Sequence, residues 1–67
     1  MNANEKEKIK EMKTCFEKCT EALEKIIELM DKLDKEEDEE KMKRIQNKIE
    51  EKTGVFVVQM LKINSFK

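Results

Sequence analysis

The sequence lacks the residues that interrupt helices. It contains no proline, and its single glycine is Gly54. Because proline breaks a helix interior and glycine weakens it, almost nothing before residue 54 opposes helix formation. Abundant Glu and Lys with few aromatic residues are typical of long helices and coiled coils. Disorder is the competing interpretation, since 46% of the residues are charged.

The residue types and motifs that most often carry catalysis are also absent. The chain has no histidine, tyrosine or tryptophan, and it contains neither a glycine-rich loop nor a P-loop motif. Carboxylates are plentiful, but the pattern predicts a helical surface without a pocket around them. We therefore expect a protein that is not an enzyme and that needs no cofactor.

The chain has no surplus of charge of either sign. It carries 15 basic and 16 acidic residues and a net charge of −1. Two basic clusters are interleaved with glutamate and lack stacking aromatic residues, which argues against nucleic acid as a partner. A small dimer that binds nucleic acid through these lysines is an alternative function. The clusters are Lys6, Lys8, Lys10 and Lys13, and Lys41, Lys43, Arg44 and Lys48.

The sequence has no long hydrophobic run. The apolar segment at residues 55–61 is too short to span a bilayer, and no signal or transit peptide is visible. We therefore expect a soluble cytoplasmic protein without a membrane partner. In that compartment the two cysteines, Cys15 and Cys19, default to free thiols.

An apolar stripe with alternating three- and four-residue steps runs through residues 9–33. This heptad repeat predicts a helix that packs against other helices and argues against disorder there. Further apolar residues beside the stripe, at Cys15, Ala22, Ile27 and Leu29, indicate contact with more than one neighbour. The heptad a positions are Ile9, Phe16, Leu23 and Met30, and the d positions are Met12, Cys19, Ile26 and Leu33.

The acidic run at residues 34–40 separates two apolar patterns. The second stripe, which begins with Met42, Ile45 and Ile49, is out of phase with the first, and this favours a turn over one straight helix. We predict an all-α antiparallel hairpin in one domain, residues 1–67, with helix 1 at about 5–33, a turn at 34–38 and helix 2 at about 39–64. Asn4 is the expected N-cap of helix 1, and Asp34 or Asp38 that of helix 2.

Residues 55–63 are apolar on nearly all sides of a helical wheel, which predicts burial on all sides. We favour a continued helix, in which Gly54 is either a helix C′ residue or a point of close helix approach. The alternative is a long helix followed by a short C-terminal β-strand, because the run is rich in valine.

The predicted hairpin has an uneven distribution of apolar residues. Its apolar-rich segments, 22–33 and 55–63, would lie against poorer ones, and two antiparallel hairpins in a four-helix bundle would balance them. The alternative is a monomer whose exposed apolar end binds another protein. The residues expected to serve assembly or partner binding are Phe16, Leu23, Ile26, Ile27, Leu29, Met30, Leu33, Val55, Phe56, Val58, Met60, Leu61 and Ile63.

Cys15 and Cys19 are four residues apart and share one helix face. The favoured interpretation is that both are small packing residues and that the chain holds no metal. A metal or redox sensor, with thiolates from two chains around a zinc ion, is a second alternative function.

The sequence thus predicts a non-catalytic protein-interaction module, a homodimer that also binds another protein. It would act as a regulator, adaptor or inhibitor by covering a surface of that protein with rigid helices. By analogy, such small charged helical domains suit regulators that phages and other mobile elements encode.

Overall fold

The computed structural model describes residues 3–66 and contains two α-helices within that range. Helix α1 spans Ala3–Lys35 and helix α2 spans Glu39–Asn64. A turn at residues 36–38 joins the two helices. The principal extents are 55 × 15 × 12 Å, so the helices lie side by side rather than end to end. The predicted all-α hairpin is confirmed, whereas the alternative C-terminal strand is wrong because residues 55–63 lie inside α2. Residues 1, 2 and 67 of the predicted domain lie outside the described residues.

Side chains in the acidic run build the turn between the helices. The Asp38 carboxylate accepts a hydrogen bond from the backbone N–H of Lys41 at 3.0 Å, and this N-cap satisfies an N–H group that has no partner within the helix. The Glu36 carboxylate accepts one from the backbone N–H of Asp38 at 3.2 Å. Asp38, rather than Asp34, is therefore the cap of α2. Asn4 does not cap α1, because it lies inside that helix.

The two helices meet along a seam. On each helix, successive seam residues are separated by alternating steps of three and four residues. On α1 the seam uses the predicted d positions and the residues before the predicted a positions, so that Cys15, Ala22 and Leu29 are buried. A single neighbour covers only one side of a helix. The seam residues, all buried or half-buried, are Met12, Cys15, Cys19, Ala22, Ile26, Leu29 and Leu33 on α1, and Met42, Ile45, Ile49, Lys52, Phe56, Gln59 and Ile63 on α2.

The predicted a positions do not contribute to this seam. The side chains of Ile9, Phe16, Leu23 and Met30 are 45–53% exposed. The expected burial of residues 55–63 on all sides is also wrong for the hairpin, because α2 has α1 as its one neighbour. Only four apolar residues of the described chain, Cys15, Cys19, Ala22 and Leu29, are less than 9% exposed. The core of a single hairpin is therefore small.

Gly54 lies inside α2, is exposed, and has ordinary negative-φ helical backbone. A Cβ atom built there would meet no other atom within 4 Å. Both predicted roles for this glycine, a helix end and a point of close approach, are therefore wrong.

Gly54→Ala should raise the free energy of unfolding by about 0.5–1 kcal/mol, because alanine restricts the unfolded chain and fits this helical position without a clash. Urea unfolding followed by circular dichroism at fixed protein concentration measures the change. Gly54→Val is the control and should gain less, because a β-branched side chain loses rotamer freedom in a helix. A loss of stability in Gly54→Ala would show that another surface packs against residue 54.

Candidate functional site

The most prominent surface of the hairpin is a row of exposed apolar side chains on α1, which we call the α1 stripe. Its residues follow heptad spacing, so they lie on one side of the helix, next to the seam. Each side chain is 45–61% exposed, and the row extends for about 32 Å at 1.5 Å per residue. The stripe consists of Ile9, Phe16, Leu23, Ile27 and Met30.

Thr20 lies at the middle of the α1 stripe. Its hydroxyl donates a hydrogen bond to the backbone carbonyl of Phe16 at 3.1 Å, one turn earlier in the helix. The polar group therefore already has a partner within its own helix. Because burial of an unpaired hydroxyl is what costs free energy, this residue can be covered by another protein surface at little cost.

A second exposed apolar surface, the α2 patch, is formed by Val57, Val58 and Leu61. Helical spacing places Leu61 between the two valines, on the side of α2 that faces away from α1. Leu61 is 65% exposed and each valine 48%. This surface therefore points in a different direction from the α1 stripe and could be occupied at the same time.

The seam contains one buried polar side chain, Gln59, which is 6% exposed. Its Oε1 atom has no hydrogen-bond partner among the described residues. The side chain borders an open cleft of about 620 Å³, together with Cys15, Lys18 and Phe66. An unpaired buried acceptor lowers stability, so Gln59 is a weak point of the helix–helix interface.

The structure divides the predicted assembly residues between two environments. Ile26, Leu29, Leu33, Phe56 and Ile63 lie in the seam and hold the hairpin together. The remaining predicted residues are exposed and available to a second molecule. They are Phe16, Leu23, Ile27, Met30, Val55, Val58, Met60 and Leu61.

Gln59 and Val57 are not among the residues that the sequence predicts for assembly. The apolar residues predict that the second stripe continues through Phe56, Met60 and Ile63, whereas the structure buries Gln59 and leaves Met60 exposed. Strict alternation of three- and four-residue steps from Met42, Ile45 and Ile49 would have led through Lys52 and Phe56 to Gln59. The three- and four-residue spacing alone therefore predicts Gln59 as the seam residue, whereas apolar character favours its neighbour Met60.

Both cysteines are free thiols buried in the seam. Within residues 3–66, no group of three or more His, Cys, Asp or Glu side chains is arranged so that it could hold a metal ion. In the same range, neither helix combines the length and apolar character needed to cross a membrane.

Basic side chains from both helices meet near the turn. Lys32 of α1 lines a shallow cleft with Lys41, Arg44 and Lys48 of α2, and Glu36 is the one acidic residue in its lining. Folding thus adds Lys32 to the second of the two predicted basic clusters. In the first cluster, Lys10 lies 3.6 Å from Glu7 and Lys13 lies 3.6 Å from Glu17.

Gln59→Leu should raise the free energy of unfolding by about 1–3 kcal/mol, because it replaces an unpaired buried acceptor with an apolar side chain of similar size. Thermal unfolding at fixed concentration measures the change. The control Asn47→Leu, at an exposed position of α2, should shift the free energy by less than about 0.5 kcal/mol. Destabilisation by Gln59→Leu would contradict the assignment, since it would show that the Gln59 carboxamide makes a favourable interaction.

Comparison with protein-family models, with curated proteins and with solved structures finds no match to this chain. A functional interpretation therefore rests on the two apolar surfaces, the seam and the charges described above.

Proposed function

We propose that this protein is a small, non-catalytic protein-interaction module. It forms a homodimer and binds another protein in the cytoplasm, which it regulates by covering part of that protein's surface. One observation carries this proposal: within residues 3–66, ten large apolar side chains are 41–65% exposed. They are the α1 stripe, the α2 patch, Val55 and Met60.

The arrangement of these side chains supports the proposal more than their number does. Apolar side chains scattered singly over a surface are ordinary, whereas a contiguous apolar row rimmed by charges is typical of a protein interface. The α1 stripe is such a row, because Lys13, Glu17 and Glu24 lie directly beside it.

Two separate surfaces support two separate contacts. The α1 stripe is long and regular, as in helices that pack against helices over many turns. The α2 patch is short and lies on the outer side of its helix. We assign self-association to the α1 stripe and target binding to the α2 patch. A dimer then presents two copies of the target-binding surface on a rigid helical support.

A second candidate function is nucleic-acid binding. The cleft lined by Lys32, Lys41, Arg44 and Lys48 favours it, because folding brings four cations from two helices together. Glu36 lines the same cleft, and Glu40 lies 4.0 Å from Arg44. Binding through phosphate contacts alone would weaken steeply with salt and would show little sequence preference. The chain offers this cleft no aromatic side chain on which bases could stack.

Leu29→Ala and Leu23→Ala make the same chemical change at a seam position and at a stripe position. Leu29 is 3% exposed, so its replacement should cost about 2–5 kcal/mol at every protein concentration. Leu23 is 45% exposed in the hairpin, so its replacement should weaken self-association about tenfold or more and matter little at high dilution. Sedimentation equilibrium and thermal unfolding at two concentrations separate the two effects. Equal loss in both variants at high dilution would show that Leu23 belongs to the hairpin core.

Val58→Glu combined with Leu61→Glu should abolish target binding, because charges replace the centre of the α2 patch. Affinity capture with quantitative mass spectrometry should show at least one protein retained by the wild type and reduced about tenfold or more by this variant. Asn4→Glu with Asn47→Glu changes the net charge equally at exposed polar positions and should retain that protein. If the retained material is instead lost from both variants, and is released by nuclease or salt, nucleic-acid binding is favoured.

A further inference from the structure

We infer that the α1 stripe is covered by the α1 stripe of a second copy of this chain, and that the two α1 helices run antiparallel. This inference rests on the proposed self-association and adds its orientation and register. Three independent features carry it: the accessible area of the hairpin, the spacing of the stripe and the order of charges beside it.

The accessible area leaves room for a dimer interface. The hairpin exposes 5664 Å², whereas a compact monomer of 8.0 kDa is expected to expose about 4,450 Å². The excess of about 1,200 Å² is more than the roughly 800 Å² that each partner contributes to a standard interface. A second copy can therefore remove the excess, provided that its surface is apolar and equally long.

The stripe is complementary to itself when reversed. Ile9, Phe16, Leu23 and Met30 are spaced by seven residues. A two-fold axis near Thr20 sets Phe16 opposite Leu23 of the second copy, and Ile9 opposite Met30. Thr20 then lies against its own symmetry mate, where its hydroxyl is already hydrogen-bonded to the Phe16 carbonyl. No unpaired polar group of the stripe is buried at the axis.

The charges beside the stripe change sign along α1. On the flank farther from α2, which comprises heptad positions b and e, the charged residues of the N-terminal half are all basic and those after residue 16 are all acidic. Antiparallel packing about a two-fold axis sets this flank beside the same flank of the second copy, with the basic half of each next to the acidic half of the other, whereas parallel packing turns the two flanks to opposite sides and forms none of these pairs. The residues are Lys6, Lys10 and Lys13, followed by Glu17, Glu24, Asp31 and Asp34.

The register pairs these charges individually. Lys6 lies beside Asp34 of the second copy, and Lys10 beside Asp31. Near the axis, Lys13 lies between two carboxylates. One is Glu17 of its own chain, at 3.6 Å, and the other is Glu24 of the second copy. The intrachain pairs of Lys10 and Lys13 are well exposed and weak, so they do not compete strongly with contacts between copies.

The same arrangement balances the apolar residues of the bundle. In two hairpins related in this way, residues 55–63 of each copy lie at the height of residues 22–33 of the other copy. Each end of the bundle therefore brings together one apolar-rich segment from each chain. The α2 patch stays on the outside of the bundle. Self-association and target binding therefore do not compete.

Charge reversal tests the orientation. One variant carries Lys6→Glu, Lys10→Glu and Lys13→Glu; the other carries Glu24→Lys, Asp31→Lys and Asp34→Lys. Each variant alone should dimerise at least about 30-fold more weakly than the wild type, because six attractive pairs become repulsive. An equimolar mixture should form a heterodimer with restored affinity. Native mass spectrometry and sedimentation velocity distinguish these species.

Only the substitutions in the terminal turns of α1, such as Lys6→Glu and Asp34→Lys, suit the helix dipole. Lys10→Glu and Lys13→Glu set like charges beside Glu7 and Glu17, so circular dichroism of each variant must show wild-type helix content before loss of dimer is attributed to the interface. Lys18→Glu with Lys41→Glu and Lys48→Glu is the matched control. It makes the same change in net charge on residues that line clefts at the opposite edge of the seam. This control should dimerise like the wild type.

Electron-spin distances measure the orientation directly. Glu7→Cys, spin-labelled in a background of Cys15→Ala and Cys19→Ala, should give a separation of about 40 Å between labels in an antiparallel dimer and about 20–25 Å in a parallel one. If this background fails to fold, the weaker dimerisation expected of each charge-reversal variant alone still decides.

The possible outcomes differ in what they overturn. A short label distance, or a lysine-to-glutamate variant that dimerises like the wild type, overturns the antiparallel arrangement and leaves self-association intact. A wild type that stays monomeric at millimolar concentration overturns self-association itself and, with it, this inference. Heterodimer recovery together with the long distance supports the inference.

Discussion

The structure depends on how much apolar surface one helix can cover on another. A neighbouring helix shields one side, whereas apolar residues of α1 occupy the seam positions and the next row beyond them. Cys15, Ala22 and Leu29 are buried against α2, and Phe16, Leu23 and Met30 are left about half exposed. The hairpin therefore folds with an apolar surface that its own second helix does not cover.

This constraint also explains why the core is small. The buried apolar residues include two cysteines and an alanine, whose side chains contribute little transfer free energy, and Gln59 interrupts the seam with an unpaired carbonyl oxygen. A chain of 67 residues is marginally stable even with a well-packed core. A second molecule that covers the α1 stripe would bury apolar side chains that the hairpin leaves exposed. On our account, assembly and stability are linked for this reason.

Much of the fold could be predicted from local patterns, because helix periodicity and capping are properties of short segments. The absence of proline, the phase shift between the stripes and the acidic run at residues 34–40 led to two helices and to a cap at Asp38 or Asp34. The face that meets α2 could not be chosen in the same way, since rows a, d and g of α1 are all apolar. In the structure rows d and g meet α2, and Gln59 lines one cleft with Cys15 and another with Ala22. Whether residues 55–61 are exposed depends on how many helices pack against α2, and a local sequence pattern does not specify that number.

The most direct test of this account is the dependence of thermal stability on protein concentration. Unfolding of the wild-type chain should be followed by circular dichroism from about 1 µM to about 1 mM, with the mass at each concentration taken from sedimentation equilibrium. If a second copy covers the α1 stripe, the mass should approach that of a dimer and Tm should rise steadily with concentration, because association stabilises the folded state by mass action. A constant Tm and a monomeric mass over the whole range would contradict it.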